Sequence, residues 1–252
     1  MELEKSLGVI REKISAALKK SGRGNTAPAV DTPDARGICV IGVTKTHNYE
    51  AIKDSIKCRL FDIGESYVQE AIKKIEDARA NILAEDIKKI TWHFIGGLQT
   101  NKIKYLKDNF SFIHSIDNER QIDELNKRIT TPLKLFFEIN TGNEESKSGG
   151  TYESTIKLVE KLLSVNAARM AELKPELTPY GLMCIPPASN NPEDSRRHFE
   201  FLRRCLEKLN GTLGIKMTGL SMGMSSDFDI AVEEGATHVR IGTVLYGERE
   251  YL

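Results

Sequence analysis

Residues 38–63, ICVIGVTKTHNYEAIKDSIKCRLFDI, hold the unit on which the reading of the fold turns. The run 38–44 is apolar and rich in β-branched residues, which suits a strand covered on both faces. A charged segment of helical period follows over 48–57, and LFDI at 60–63 reads as a second strand. Strand, helix and strand in succession make the building block of a parallel sheet. Downstream the alternation repeats. Further strands are expected at 91–95, 112–116, 133–139, 180–185, 215–220 and 238–241. Helices are expected near 66–80, 99–107, 118–129, 151–165, 192–209 and 226–234, with a short one after Val244. Eight such strands in 252 residues favour a closed barrel over an open doubly wound sheet, because a (β/α)8 barrel takes roughly 250 residues.

Upstream of this unit, Leu3, Leu7, Ile10, Ile14 and Leu18 recur every three to four residues and predict an extra N-terminal amphipathic helix over 2–20. The stretch 21–37 is rich in Gly, Pro, Asp and Ser and reads as a loop. No internal shift in composition marks a second domain. The expected fold is therefore α/β: a single (β/α)8 TIM barrel spanning 1–252, with 1–37 as N-terminal helix and loop.

Composition narrows the function classes. Hydrophobic residues make up 40% and charged residues 29%, enough for both a core and a solvated surface. Lys+Arg and Asp+Glu are 36 each, and a net charge of zero argues against a nucleic-acid partner. No 18-residue apolar run occurs, so no membrane partner is expected. The N-terminus lacks the apolar stretch of a signal peptide, and Glu2, Glu4 and Glu12 argue against a presequence. Cys39, Cys58, Cys184 and Cys205 are far apart and form no CxxC pair; reduced thiols in a cytoplasmic protein are expected.

In a β/α barrel the chemistry gathers at the C-terminal ends of the strands. Lys45 follows the first strand, where an amine pointing into the barrel mouth would be a nucleophile toward an aldehyde; the alternative is a lysine snorkelling to the rim. After the second strand, Gly64 suits a tight turn, and Glu65 and Ser66 suffice to cap the next helix. His93 reads as a hydrogen-bonded core histidine, and Gly96-Gly97 as a close backbone approach. Residues 140–150 form a long polar loop, and Cys184 reads as packing. The strongest signal lies in the last two strands. Loops after strands seven and eight of a barrel commonly hold a phosphate, and Ser221, Gly242 and Thr243 supply hydroxyls and free N–H groups for one. Arg240 is a permanent cation at an apolar strand end. It requires a carboxylate, a phosphate or a ring nitrogen, or else a structural ion pair with Asp or Glu.

The segments VTKTHNYEAI, IGESYVQEAIKKI, WHFIGGLQTNKIKYL, HSIDN, INTGNEESKSG, GLMCIPP and LSMGMSSDFDIAVEEGATHVRIGTVLYGERE occur in order over roughly 38–250. Together they resemble the pyridoxal 5′-phosphate (PLP) homeostasis protein family. The resemblance implies the barrel of fold-type III PLP enzymes, similar to the N-terminal domain of alanine racemase. It implies a Schiff base on Lys45, the PLP phosphate on Ser221, Gly242 and Thr243, and Arg240 facing the pyridine nitrogen. A guanidinium there keeps the nitrogen unprotonated and weakens the ring as an electron sink. The sequence departs from the family at Ser66, which stands where the family has an asparagine and would contact the cofactor in its place with shorter reach, at Gly97, which replaces a proline, and in the longer loop 21–37.

Two functions compete. One is a carrier that binds PLP, buffers it and passes it to apo PLP-dependent enzymes as recipients. The other is an amino-acid racemase or related fold-type III enzyme. A racemase of this type adds a second domain carrying a catalytic tyrosine, and the chain ends at Leu252 just after the barrel. The carrier, acting as a monomer without robust catalysis, is the expectation. A barrel enzyme acting on a sugar phosphate is a third, disfavoured by the motif set.

Overall fold

The computed structural model describes residues 2–23, 37–106, 108–144 and 147–247. Eight strands close a barrel in sequence order: β1 (Cys39–Val43), β2 (Asp62–Glu65), β3 (Thr91–Phe94), β4 (Phe112–Ile116), β5 (Leu133–Glu138), β6 (Leu177–Met183), β7 (Gly219–Ser221) and β8 (His238–Ile241). Every neighbouring pair is parallel, and β8 closes on β1 with Arg240 opposite Ile41. The helices are α1 (Glu2–Lys20), α2 (Glu50–Lys57), α3 (Val68–Asn81), α4 (Ala84–Ile87), α5 (Ile103–Leu106), α6 (Glu119–Arg128), α7 (Tyr152–Ala171), α8 (Arg196–Leu213), α9 (Phe228–Glu233) and α10 (Thr243–Tyr246). The expected TIM barrel is the observed one.

Side chains alternate across each strand. On β1, Val40 joins the layer between sheet and helices, whereas Cys39 and Ile41 form a separate cluster inside the barrel. The same parity puts Val43 and then Lys45 on the inner side. Phe112, Phe136 and Met183 fill the interior together with three buried histidines. His93 stacks on Phe112 at 4.4 Å, and His114 on Phe136 at 4.3 Å.

Helix α1 buries Leu3, Leu7, Ile10, Ile14 and Leu18, the face its spacing predicts. It packs on α9, where Lys20 pairs with Glu233 at 2.7 Å and Arg23 donates to the carbonyl of Val232 at 2.7 Å. Most of the expected loop 21–37 lies outside the described residues.

Several boundaries differ from expectation. The segment 99–107 divides into a 3-10 turn, Thr100–Lys102, and α5. The final helix begins at Thr243 rather than after Val244. Strand β2 runs to Glu65, so Gly64 is not a turn glycine. Its place in the strand has a steric reason: a Cβ there would meet Ile41 at 2.7 Å and Ile95 at 3.1 Å. Glu65 is therefore a strand residue pointing outward. Helix α3 starts later, behind Tyr67, with no side-chain cap, so neither Glu65 nor Ser66 caps it.

Candidate functional site

The strand ends enclose a cavity of about 240 Å³, lined among others by Lys45, Ser66, Arg240, Gly242 and Thr243. Five of the six residues singled out from the sequence thus meet around one space. The arrangement follows from parity: Val43 at the end of β1, Lys45 beyond it, Ser66 beyond β2, Ile95 beyond β3, Ile185 beyond β6 and Arg240 on β8 all face inward. A depression of about 640 Å³ adjoins the cavity across His47, Thr243 and Gly247, but neither Lys45 nor Arg240 lines it. The smaller cavity is the chemically equipped one.

Ser221 does not line the cavity. It is the fully buried last residue of β7, and its hydroxyl lies beneath the cavity in contact with Arg240. Ser225 and Ser226 take its place in the lining. Their backbone N–H groups donate to no acceptor among the described residues. Asp227 shapes this loop by accepting from the Met224 N–H at 2.7 Å, while Ser195 donates to its other oxygen at 2.8 Å. The φ of +90° at Gly223 falls where L side chains are strained, which explains a glycine at that bend.

Arg240 is buried, and its guanidinium donates to the Ser221 hydroxyl (2.7 Å) and the Cys184 carbonyl (2.9 Å). It forms no ion pair with a described carboxylate, so a structural salt bridge is not what holds it. Burial lowers its pKa, while Cys184, Glu138 and Asp227 oppose that at a distance. Cys184 itself is fully buried and its thiol is pushed up to about 12 by burial, in keeping with a packing role.

Below Arg240 a hydrogen-bonded chain descends through the barrel, a feature with no counterpart in the sequence reading. Ser221 Oγ lies 2.8 Å from His114 Nδ1, His114 Nε2 lies 3.0 Å from His93 Nδ1, and His93 Nε2 lies 3.0 Å from Asp62 Oδ1. Burial holds His114 well below the usual imidazole range, hence neutral. One set of proton positions satisfies every link. Arg240 donates to Ser221, Ser221 to His114, His114 to His93, and His93 to an Asp62 carboxylate. His93 is thus the hydrogen-bonded core histidine expected. Cys39, Asp62 and His93 also bring ligand atoms within 4.8 Å of one another at the far end of the barrel. The His93–Asp62 bond accounts for two of the three.

Glu138 closes β5 on the inner side and is also absent from the sequence reading. Burial raises its pKa to about 7 from 4.5, Asp117 adds to the rise, and Arg240 opposes it. A raised value means that the fold favours the protonated carboxyl. That contribution to stability is complete below the unfolded value and is lost as pH rises through about 7. Glu138→Gln should therefore match the wild type in urea unfolding near pH 4.5. Above pH 7 it should exceed the wild type by on the order of 2–3 kcal/mol.

The sequence profile of the alanine racemase N-terminal domain matches residues 11–250. The chain belongs to that family. Within it, the pyridoxal phosphate homeostasis protein of Aquifex aeolicus is 38% identical, over 97% of this chain and 97% of its own length. The protein of the same name from Escherichia coli K12 is 36% identical, over 99% of this chain and 98% of its own. PipY of Synechococcus elongatus, a structure with PLP bound, superposes with a TM-score of 0.68 at 28% identity, covering 93% of this chain and 100% of PipY. The resemblance drawn from the motifs is confirmed at the level of family and fold. No described helix is long and apolar enough to cross a membrane.

Proposed function

We propose that this chain is a PLP-binding protein of intracellular PLP homeostasis that holds the cofactor on Lys45 and releases it to apo-enzymes. One observation carries the reading: Lys45 and the buried Arg240 guanidinium share a cavity with Ser225, Ser226, Gly242 and Thr243. The residues fit the group. At about 240 Å³ the cavity is smaller than the roughly 300–1,000 Å³ of drug-sized ligand sites, as suits one substituted ring with a phosphate. Two loops with hydroxyls and backbone donors would hold the phosphate, Arg240 would face the ring nitrogen, and Ser66 would approach the ring from β2. When bound, PLP supplies an aldehyde carbon to which an unprotonated lysine amine adds with loss of water.

The chain's own residues favour keeping over turnover. Arg240 is a donor toward both Ser221 and Cys184, so a nitrogen facing it is held as an acceptor and the ring is a weak electron sink. The relatives are named for PLP homeostasis, and PipY was solved with PLP bound. Cys39, Cys58, Cys184 and Cys205 form no disulfide with one another, consistent with a cytoplasmic protein. A monomer in one barrel domain is part of the proposal.

The test uses PLP-loaded protein. Mixed with an apo PLP-dependent enzyme it should restore that enzyme's activity. Chiral assays over the common amino acids should show no racemisation above the free-PLP background. Robust racemisation of any of them would overturn the carrier reading in favour of a fold-type III enzyme.

A further inference from the structure

A cluster outside the cavity brackets the lysine. Lys74 on α3 is almost fully buried, and its ammonium donates to the Thr44 carbonyl at 2.5 Å, to Glu65 at 2.7 Å and to Glu70 at 3.0 Å. Glu65 accepts a second bond at 2.5 Å from the Thr44 hydroxyl, and Glu70 accepts at 2.6 Å from the Thr46 backbone N–H. The residues before and after Lys45 are thus tied to one buried cation and its two carboxylates. Thr46 has φ +68°, a conformation costly for a β-branched residue, so the turn persists only because its surroundings impose it. Burial pushes the Glu65 carboxyl up and Lys74 pulls it down, the mark of a pair that depends on its partner.

We propose that Lys74, with Glu65 and Glu70, is a positioning residue that fixes the backbone on both sides of Lys45 and so aims its amine into the cavity. The relevance to PLP rests on the reading of Lys45 given above; the clamp itself does not. None of the three lines the cavity, so they act through Thr44 and Thr46. Misplacing a reacting atom by about 1 Å can cost on the order of a hundredfold in rate, so a loosened turn has a kinetic signature.

Removing Lys74 alone would strand Glu65 as a buried charge, so the test begins at Glu70, whose side chain is 30% exposed. Glu70→Ala removes the acceptor of the Thr46 N–H, and Glu70→Gln retains an oxygen for it. Two readouts are taken on chains shown to be folded. Without PLP, acetic anhydride acetylation of Lys45 is followed by peptide mass across pH, with exposed Lys57 as internal reference. With PLP, the rate of borohydride-fixable capture at Lys45 is measured. In Glu70→Ala the acetylation rate of Lys45 relative to Lys57 should change by about threefold or more, and capture should slow by about tenfold. Glu70→Gln should restore most of both, which a merely structural role would not require. Should Glu70→Ala not fold, Lys74→Met combined with Glu65→Leu replaces the buried pair with apolar groups and takes the same readouts. Unchanged Lys45 acetylation in the folded variant overturns the clamp, whatever PLP does. PLP fixed on a different lysine of the wild type overturns the cofactor reading instead, and the acetylation result then judges the clamp alone.

Discussion

Lys45→Ala is expected to lower borohydride-fixable PLP from about one per chain to background. Lys45 stands two residues beyond the end of β1, and strand parity turns it into the cavity. Lys74 also has an amine near this turn, but it is committed to three oxygens on the outer side of the sheet and cannot substitute. Lys45→Arg should fail equally, because a guanidinium keeps the charge yet stays protonated and does not add to an aldehyde. The arginine variant therefore separates loss of the amine from loss of the cation. Lys45 is only half-buried and lies past the strand, so either change should alter folding stability by no more than about 1 kcal/mol. The residues proposed to hold the phosphate are unchanged in both variants. Weak reversible PLP binding should persist and be seen by equilibrium dialysis.

Arg240→Leu should weaken PLP binding by about ten- to a hundredfold, the equivalent of losing one charged hydrogen bond of about 1.5–3 kcal/mol. The guanidinium is the buried cation of the cavity lining, and no described carboxylate neutralises it by direct contact. Folding should suffer less than binding. Leucine removes the donor to the Cys184 carbonyl, at about 1–3 kcal/mol, but it also removes the cost of a buried charge. Ser221 keeps its bond to His114, so the chain of contacts below survives. Fluorescence titration with PLP, alongside urea unfolding of the same protein, would check both halves. A variant that binds PLP as tightly as the wild type would remove Arg240 from the site.

Much of this architecture is legible in the order of the residues. The alternation beginning at 38–63 requires parallel strands, and the period of two within ICVIGVTK places Lys45 on the inner face of a closed barrel. Arg240 is legible as a cation at an apolar strand end, and Gly242 and Thr243 as the loop after the eighth strand. Ser221 is harder to place because its neighbours SMGMSSD offer three serines, and only the end of β7 tells which of them lie in the loop. Gly64 reads as a turn because a glycine in a strand and a glycine in a bend look alike; Ile41 and Ile95, which exclude a Cβ there, are distant in sequence. Reading a turn at Gly64 hides the role of Glu65. Glu70 and Lys74 have the spacing of an ordinary i,i+4 surface pair. Their burial depends on Thr44, on a different element. His114 carries no local signal at all, since its partners His93 and Ser221 come from other strands.

The most direct test of the central claim is peptide mapping of the wild-type chain after incubation with PLP and reduction with borohydride. The expected result is one reduced PLP per chain, on the peptide containing Lys45. A chain that takes up no label, or takes it chiefly on another lysine, would contradict the assignment of this cavity to PLP.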